Sequence, residues 1–114
     1  MKRRIKDRKV NYVLKNYLSK IRELFNPKFI LLWGSRIYGK PTPYSDIDMI
    51  IVSDKFRNIK FIKRRSTFLK DTGLLYDPKA EVVDALCYSE DEFQKKRKSL
   101  GLINEALSKG IEIK

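Results

Sequence analysis

The chain has 114 residues, 42% of them hydrophobic, and its 26 lysines and arginines against 14 acids give a formal net charge of +12. This length and apolar content predict one folded domain and exclude a disordered or collagen-like chain. One cysteine and no histidine exclude a disulfide framework, a cysteine-rich zinc site and the commonest general base. The positive charge predicts attraction to polyanions such as nucleotides, nucleic acids or acidic proteins.

The distribution of apolar residues along the chain predicts no membrane association. No apolar run reaches the length of a membrane span, and the basic start of the chain is not followed by the apolar core of a signal peptide. We therefore expect a soluble, cytoplasmic protein with no membrane partner. Residues 1–114 are expected to form a single domain, with residues 1–9 as a basic N-terminal arm.

The first half of the chain predicts a helix followed by two buried strands. Apolar residues at helical spacing from Val10 to Leu24 predict an amphipathic helix that ends at Asn26-Pro27. Residues 29–33 are apolar on both faces and predict a central strand, which Gly34 ends. After a short helical turn and a loop, residues 46–53 predict a second buried strand with acids at its start.

The second half continues the alternation of helices and strands. Its predicted elements are a helix over 57–72 that ends at Gly73, a strand over 81–88, a helix opened by the capping-box pattern of Ser89 and Glu92, a helix over 100–109, and a short edge strand over 111–113. The first of these helices has a basic face of Lys60, Lys63, Arg64 and Arg65. That face is either solvated or a docking surface for an acidic partner or RNA. The alternation predicts an α/β domain with a small mixed sheet of three to four strands backed by helices.

Two acids at the start of the second strand are the first candidate site residues. Asp46 and Asp48 are two apart, so on a strand their side chains leave the same face with Cα atoms about 6.6 Å apart. Two adjacent carboxylates repel unless they are protonated or neutralised, and divalent cations are the usual partner of oxygen-only ligands. Two magnesium ions about 4 Å apart would fit an in-line phosphoryl displacement.

A glycine-serine turn and a third acid complete the candidate site. Gly34 and Ser35 follow a strand and open a helical turn, where backbone N–H groups and a hydroxyl favour a phosphate. Asp84 lies in an otherwise apolar strand, which is costly for an acid without a function, and it is the candidate third carboxylate. Glu81 lies nearer the start of that strand, where solvent is a sufficient explanation.

The combined pattern resembles a known superfamily. Gly34-Ser35, a ten-residue spacer and Asp46-x-Asp48 resemble the nucleotidyltransferases that share the DNA polymerase beta palm, with Arg36, Gly39 and Ser45 at matching positions. The short chain resembles the minimal nucleotidyltransferases, which are often encoded beside a HEPN-domain protein. Residues 83–93 resemble the strand of that family's third carboxylate and the helix after it. One position departs from the family, because Tyr38 stands where many minimal members have a second arginine.

The resemblance implies a palm-like fold and a set of roles. Gly34 and Ser35 would bind the triphosphate, while Asp46, Asp48 and Asp84 would be catalytic and bind two magnesium ions. Arg36 is a candidate nucleotide ligand or the member of a surface salt bridge. The implied reaction moves AMP from ATP to an acceptor hydroxyl, as an antitoxin acting on a HEPN-domain toxin. An enzyme acting on RNA or a small molecule, a catalytically silent nucleotide-binding module and a homo-oligomer stay open.

Overall fold

The computed structural model describes residues 5–80, 82–99 and 101–113, with the backbone alone for Leu102. Its helices and strands, in chain order, are α1 (Arg8–Phe25), β1 (Phe29–Trp33), α2 (Ser35–Tyr38), β2 (Ile47–Val52), α3 (Phe61–Thr72), β3 (Val83–Tyr88), α4 (Glu90–Arg97), α5 (Leu102–Lys109) and β4 (Ile111–Ile113). Short 3-10 turns cover Asp54–Asn58 and Leu74–Tyr76. This order agrees with the predicted alternation of helices and strands.

The four strands form one mixed sheet in the order β3-β2-β1-β4. Strand β1 is antiparallel to both β2 and β4, whereas β2 and β3 are parallel. The predicted mixed α/β sheet backed by helices is therefore confirmed. Because the carboxyl end of β1 lies beside the amino ends of β2 and β3, the residues that follow β1 meet the residues that begin β2 and β3.

Alternating side chains bury both faces of the sheet. One face packs against α1 and α3 through a core that includes Phe25, Phe56 and Phe68. The other face packs against α4 and α5, where Phe93 and Ile103 are buried. Asp48 and Asp84 alternate with residues of these cores and project from the second face, as Ile50 and Leu86 do.

Helix α1 begins two residues earlier than the periodic apolar residues predict. The Asp7 carboxylate accepts hydrogen bonds from the backbone N–H groups of Lys9 (2.9 Å) and Val10 (3.1 Å), which caps the helix. The predicted basic arm therefore ends within the helix, and residues 1–4 lie outside the described residues. Glu81 lies outside them as well, so its comparison with Asp84 stays untested.

The predicted basic face of the third helix is wrong at one of its four residues. Arg64 is buried, and its guanidinium donates hydrogen bonds to the carbonyls of Ile59 (2.8 Å) and Cys87 (3.2 Å) and to the carboxylate of Glu92 (2.6 Å). Because the predicted helix is interrupted before Phe61, α3 turns Arg64 toward the sheet. Lys60, Lys63 and Arg65 are exposed.

Candidate active site

The three predicted acids meet at one end of the sheet. Asp48 and Asp84 occupy opposing positions on the parallel strands β2 and β3, so their Cα atoms lie about 5 Å apart and their side chains share a face. Asp46 lies just before β2. Burial, and then the negative charges of Asp84 and Asp46, raise the pKa of Asp48 to about 6. The Asp48 carboxylate therefore lies within reach of the charges of both other acids.

The acids have the chemistry of a magnesium site but do not surround an ion. Their donors are oxygen atoms alone, which suits a hard divalent cation, and their mutual repulsion is the effect that such a cation relieves. Within the described ranges, no group of three acidic, histidine or cysteine side chains converges closely enough to hold a metal. The Asp84 carboxylate has a different partner, the Arg65 guanidinium at 3.7 Å.

Gly34 lies directly against Asp48. Its φ is +85°, a conformation that side chains disfavour, and a Cβ atom built there would come within 2.1 Å of the Asp48 carboxylate oxygen Oδ2. The Gly34 carbonyl accepts from the N–H groups of Ile37 (3.0 Å) and Tyr38 (3.1 Å), which opens α2. A residue without a side chain is thus required both for the turn and for the approach of the backbone to the acid.

Ser35 begins α2, and Gly39 at the other end of that helix packs directly against it. The Ser35 carbonyl accepts from the N–H of Gly39 at 3.0 Å, and a Cβ atom at Gly39 would come within 2.9 Å of the Ser35 Cα. The resemblance therefore matches two glycines that this turn needs for steric reasons. The turn brings Gly34 and Ser35 to the same sheet end as the three acids.

Arg36 holds the loop between α2 and β2. Its side chain is 5% exposed, pairs with the Asp7 carboxylate at 3.0 Å, and donates to the carbonyls of Ser45 (2.9 Å), Thr42 (3.3 Å) and Pro43 (3.4 Å). Burial alone would raise the pKa of Asp7, but hydrogen bonds from the Val10 amide and from Arg36 hold it below its usual value. These partners support a role in ordering the loop. A contact of Arg36 with a nucleotide stays a prediction.

Tyr38 connects the glycine turn to the last helix. Its hydroxyl donates to Glu105 Oε2 at 2.9 Å, and the Lys109 ammonium lies 5.6 Å from the centre of its ring. Burial and the Glu105 hydrogen bond raise the pKa of Tyr38, and the charge of Asp48 adds to the shift. Sequence reasoning missed Glu105 and Lys109, because helical periodicity does not show which distant turn a helix covers.

The fold and the site together define a class of protein. The chain matches the family of nucleotidyltransferase domains over residues 14–113, and this match includes the glycine turn and all three acids. The chain therefore belongs to the nucleotidyltransferase family and is an enzyme of the transferase class. The comparison with curated proteins returned no match.

Two solved structures share the fold. A Sulfolobus solfataricus protein that is provisionally assigned as a nucleotidyltransferase has a TM-score of 0.51 and 18% identity, over 76% of this chain and 75% of that chain. BolA1 from Arabidopsis thaliana has a TM-score of 0.54 and 14% identity, over 68% of this chain and 92% of that chain. At such low identity, the likeness shows the fold alone. No helix among the described residues is long and apolar enough to cross a membrane.

Proposed function

We propose that this nucleotidyltransferase moves AMP from ATP to an acceptor hydroxyl and releases pyrophosphate. The observation that carries the proposal is that Asp46, Asp48 and Asp84 lie at one end of the sheet, with the Gly34 backbone directly against Asp48. A phosphate chain bound along the Gly34-Ser35 turn would lie beside three carboxylates. No other group of described residues combines a tight glycine turn with clustered acids.

The positions of the residues support the following roles. Gly34 and Ser35 bind the triphosphate through backbone N–H groups and the serine hydroxyl, and Arg36 keeps the following loop in place. Asp46, Asp48 and Asp84 would hold two magnesium ions, which neutralise phosphate charge when bound. Asp84, with its side chain 41% exposed, is the most suitable acid to receive the proton of the incoming hydroxyl.

The bonds of the transfer step balance. The acceptor oxygen forms a bond to the α-phosphorus of ATP, and the bond between that phosphorus and the bridging oxygen of pyrophosphate breaks. The hydroxyl proton moves to the Asp84 carboxylate and then to solvent. The residues orient the reactants and receive a proton, and no covalent bond to the protein is needed.

A HEPN-domain protein is the acceptor we propose, which would make the chain an antitoxin. The chain's net charge of +12 supports an acidic protein partner rather than a neutral small molecule. The exposed cations Lys60, Lys63 and Arg65 lie at the start of α3, and Arg65 is 3.7 Å from Asp84, where such a partner would approach. Transfer to RNA is the competing function, since the same cations attract a polyphosphate backbone.

Labelled ATP tests the reaction and the acceptor together. The purified chain is incubated with magnesium and the HEPN-domain product of an adjacent gene, using ATP labelled at the α-phosphate or at the γ-phosphate. We expect label on the HEPN protein from α-labelled ATP alone, and none with Asp48→Asn. Label on added RNA instead would establish the competing function. Absence of α-label on every acceptor, with ATP unbound, would refute nucleotidyl transfer.

A further inference from the structure

The outer edge of β3 carries backbone groups that the sheet's hydrogen bonds leave out, of which the Ala85 carbonyl accepts only a weak hydrogen bond from the Cys87 thiol (3.9 Å). The carbonyls of Val82 and Tyr88 accept from the N–H groups of Ile47 (2.9 Å) and Ser53 (2.8 Å), so alternate residues of this strand face β2. Val83 and Ala85 therefore direct their N–H and carbonyl groups away from the sheet. The strand lies at the end of the sheet order, and no described strand pairs with that side.

A groove runs along this edge between β3 and α3. It has a volume of about 270 Å³, its floor is residues 84–87, and its wall is the first turn of α3. Arg64 closes one end, because its guanidinium donates a hydrogen bond to the Cys87 carbonyl. The other end opens at Asp84, the acid that we propose receives the proton of the acceptor hydroxyl. Four strand residues span about 13 Å, which suits a short extended segment.

The rim of the groove is apolar and unusually exposed. Ile62 is 87% exposed and Phe61 is 54% exposed, although the helix that carries them is well packed elsewhere. The Phe61 ring is already in contact with Tyr88, at 5.7 Å between ring centres, and with the Arg64 guanidinium at 5.4 Å. Exposed aliphatic surface beside an unpaired strand edge is typical of sites that accept an added strand.

The charge around the groove indicates the chemistry of its occupant. Arg65 lines it, and the exposed Lys60 and Lys63 flank its rim residues Phe61 and Ile62 along the chain. A second copy of the chain would place the same cations against each other at the groove, and like charges at an interface are unfavourable. RNA would need free aromatic faces on which bases stack, whereas Phe61 is engaged and Ile62 is aliphatic. An extended, acidic protein segment satisfies the backbone, the apolar rim and the cations together.

We propose that the acceptor protein docks an extended acidic segment in this groove as a fifth strand beside β3, which brings its hydroxyl to Asp84. An acidic side chain of the segment binds Arg65, which now lies 3.7 Å from the Asp84 carboxylate, and thereby frees that carboxylate for the reaction. The segment's main chain pairs with Val83 and Ala85, and its apolar side chains cover Ile62. This inference rests on the proposed function and names how its acceptor is recognised.

The first test uses a defined peptide rather than the acceptor. A fluorescein-labelled peptide Glu-Val-Glu-Val-Tyr-Val-Glu is titrated with the full chain, beside a version with lysine for glutamate and a version with N-methylated backbone amides. We expect saturable binding of the acidic peptide alone. Ile62→Asp and Arg65→Gln should each weaken it by about tenfold or more, since they remove an apolar contact and a complementary charge.

Lys70→Gln is the matched control for Arg65→Gln, because Lys70 is an exposed cation of the same helix that does not line the groove. It should bind the peptide as the unchanged chain does. Equal binding of the lysine peptide, no binding of the acidic peptide, or an effect of Lys70→Gln equal to that of Arg65→Gln would overturn the inference. A dimer that Ile62→Asp dissociates, or RNA binding that Ile62→Asp abolishes, would overturn it in favour of that occupant.

The reaction is measured separately so that the two proposals can fail independently. Peptide binding requires no ATP, so binding without AMP transfer to any acceptor would preserve the docking site and refute the transfer. Conversely, full AMP transfer to the HEPN protein by Ile62→Asp would preserve the transfer and refute the docking site. If both hold, Ile62→Asp should lose transfer to the protein while still binding magnesium-ATP.

Discussion

The acids at the two ends of the sheet have opposite electrostatic environments, and their pKa values shift in opposite directions. At one end, Glu92 accepts from the buried Arg64 at 2.6 Å and from the Ser89 amide at 2.7 Å, and the Arg64 hydrogen bond is the main cause that lowers the pKa of Glu92 to about 2. At the other end, Asp48 has two acids as neighbours and its pKa rises to about 6. The first end is stabilised by its charges. The second keeps charges that oppose folding, which is typical of a site built for a ligand.

The same contrast appears in two consecutive arginines. Arg64 is buried among three acceptors, whereas Arg65 remains half exposed and meets Asp84 at 3.7 Å. The first joins α3 to β3 and α4. The second can leave its partner, since an exposed pair at that distance contributes little to stability. Of these two neighbouring arginines, Arg64 therefore stabilises the fold, whereas the proposed docking site assigns a functional role to Arg65.

Removing the central acid should have the largest effect. Asp48→Asn removes a carboxylate that the proposed magnesium ions need, so AMP transfer should fall by about a thousandfold or more. Because the change also relieves repulsion, the melting temperature should stay the same or rise. Transfer rates and thermal melts, each with and without magnesium, check both expectations. A variant that retains transfer, or that melts well below the unchanged chain, would contradict the assignment of Asp48.

Adding a methyl group at the glycine turn should have the next largest effect. Gly34→Ala forces a Cβ atom toward the Asp48 carboxylate and requires a side chain at a φ of +85°. We expect a stability loss of about 1 to 2 kcal/mol and a fall in transfer of about tenfold or more. Urea unfolding and AMP-transfer rates measure the two effects. Gly73→Ala is the control, because its φ is +88° but no atom lies within 4 Å of its Cβ position, so it should lose stability but not activity.

Breaking the ion pair between Arg64 and Glu92 should lower stability. Glu92→Gln weakens the hydrogen bonds to Arg64 and leaves that buried cation without a negative partner. Allowing for the partial exposure of Glu92, we expect a loss of about 1.5 kcal/mol in the free energy of unfolding. Urea unfolding at neutral pH measures it. Glu90→Gln, on the same helix but in an exposed ion pair, is the control and should change stability much less.

The stability lost in Glu92→Gln should depend on pH, and this is the smallest of the expected effects. The pKa of Glu92 is about 2 in the folded chain against a model-compound value of 4.5, so its contribution is fully present above pH 4.5. It should be lost progressively as the pH falls toward 2, where the folded carboxyl also protonates. The stability difference between the unchanged chain and Glu92→Gln should therefore shrink over this range. A constant difference would show that charge is not its cause.

Local patterns in the sequence were sufficient for much of the fold. Apolar runs, the breaks at Asn26-Pro27 and Gly73, and the capping box of Ser89 are all short-range signals. Each element they predict is present, the strands over 29–33 and 111–113 with the predicted ends and most others with ends shifted by a few residues. The start of α1 was misplaced because Asp7, a polar residue outside the apolar pattern, caps it. The glycine turn and the spacing of Asp46 and Asp48 are equally local, which is why they could be identified.

Only the tertiary structure decided which distant residues meet. The parallel register that sets Asp48 beside Asp84, the burial of Arg64 rather than Arg65, and the pairing of Arg36 with Asp7 join residues that are 23 to 36 positions apart. Periodicity shows which face a residue occupies within its own element, but not what covers that face. Tyr38 and Glu105 show the same limit, because their hydrogen bond exists only after α5 has folded back over the glycine turn.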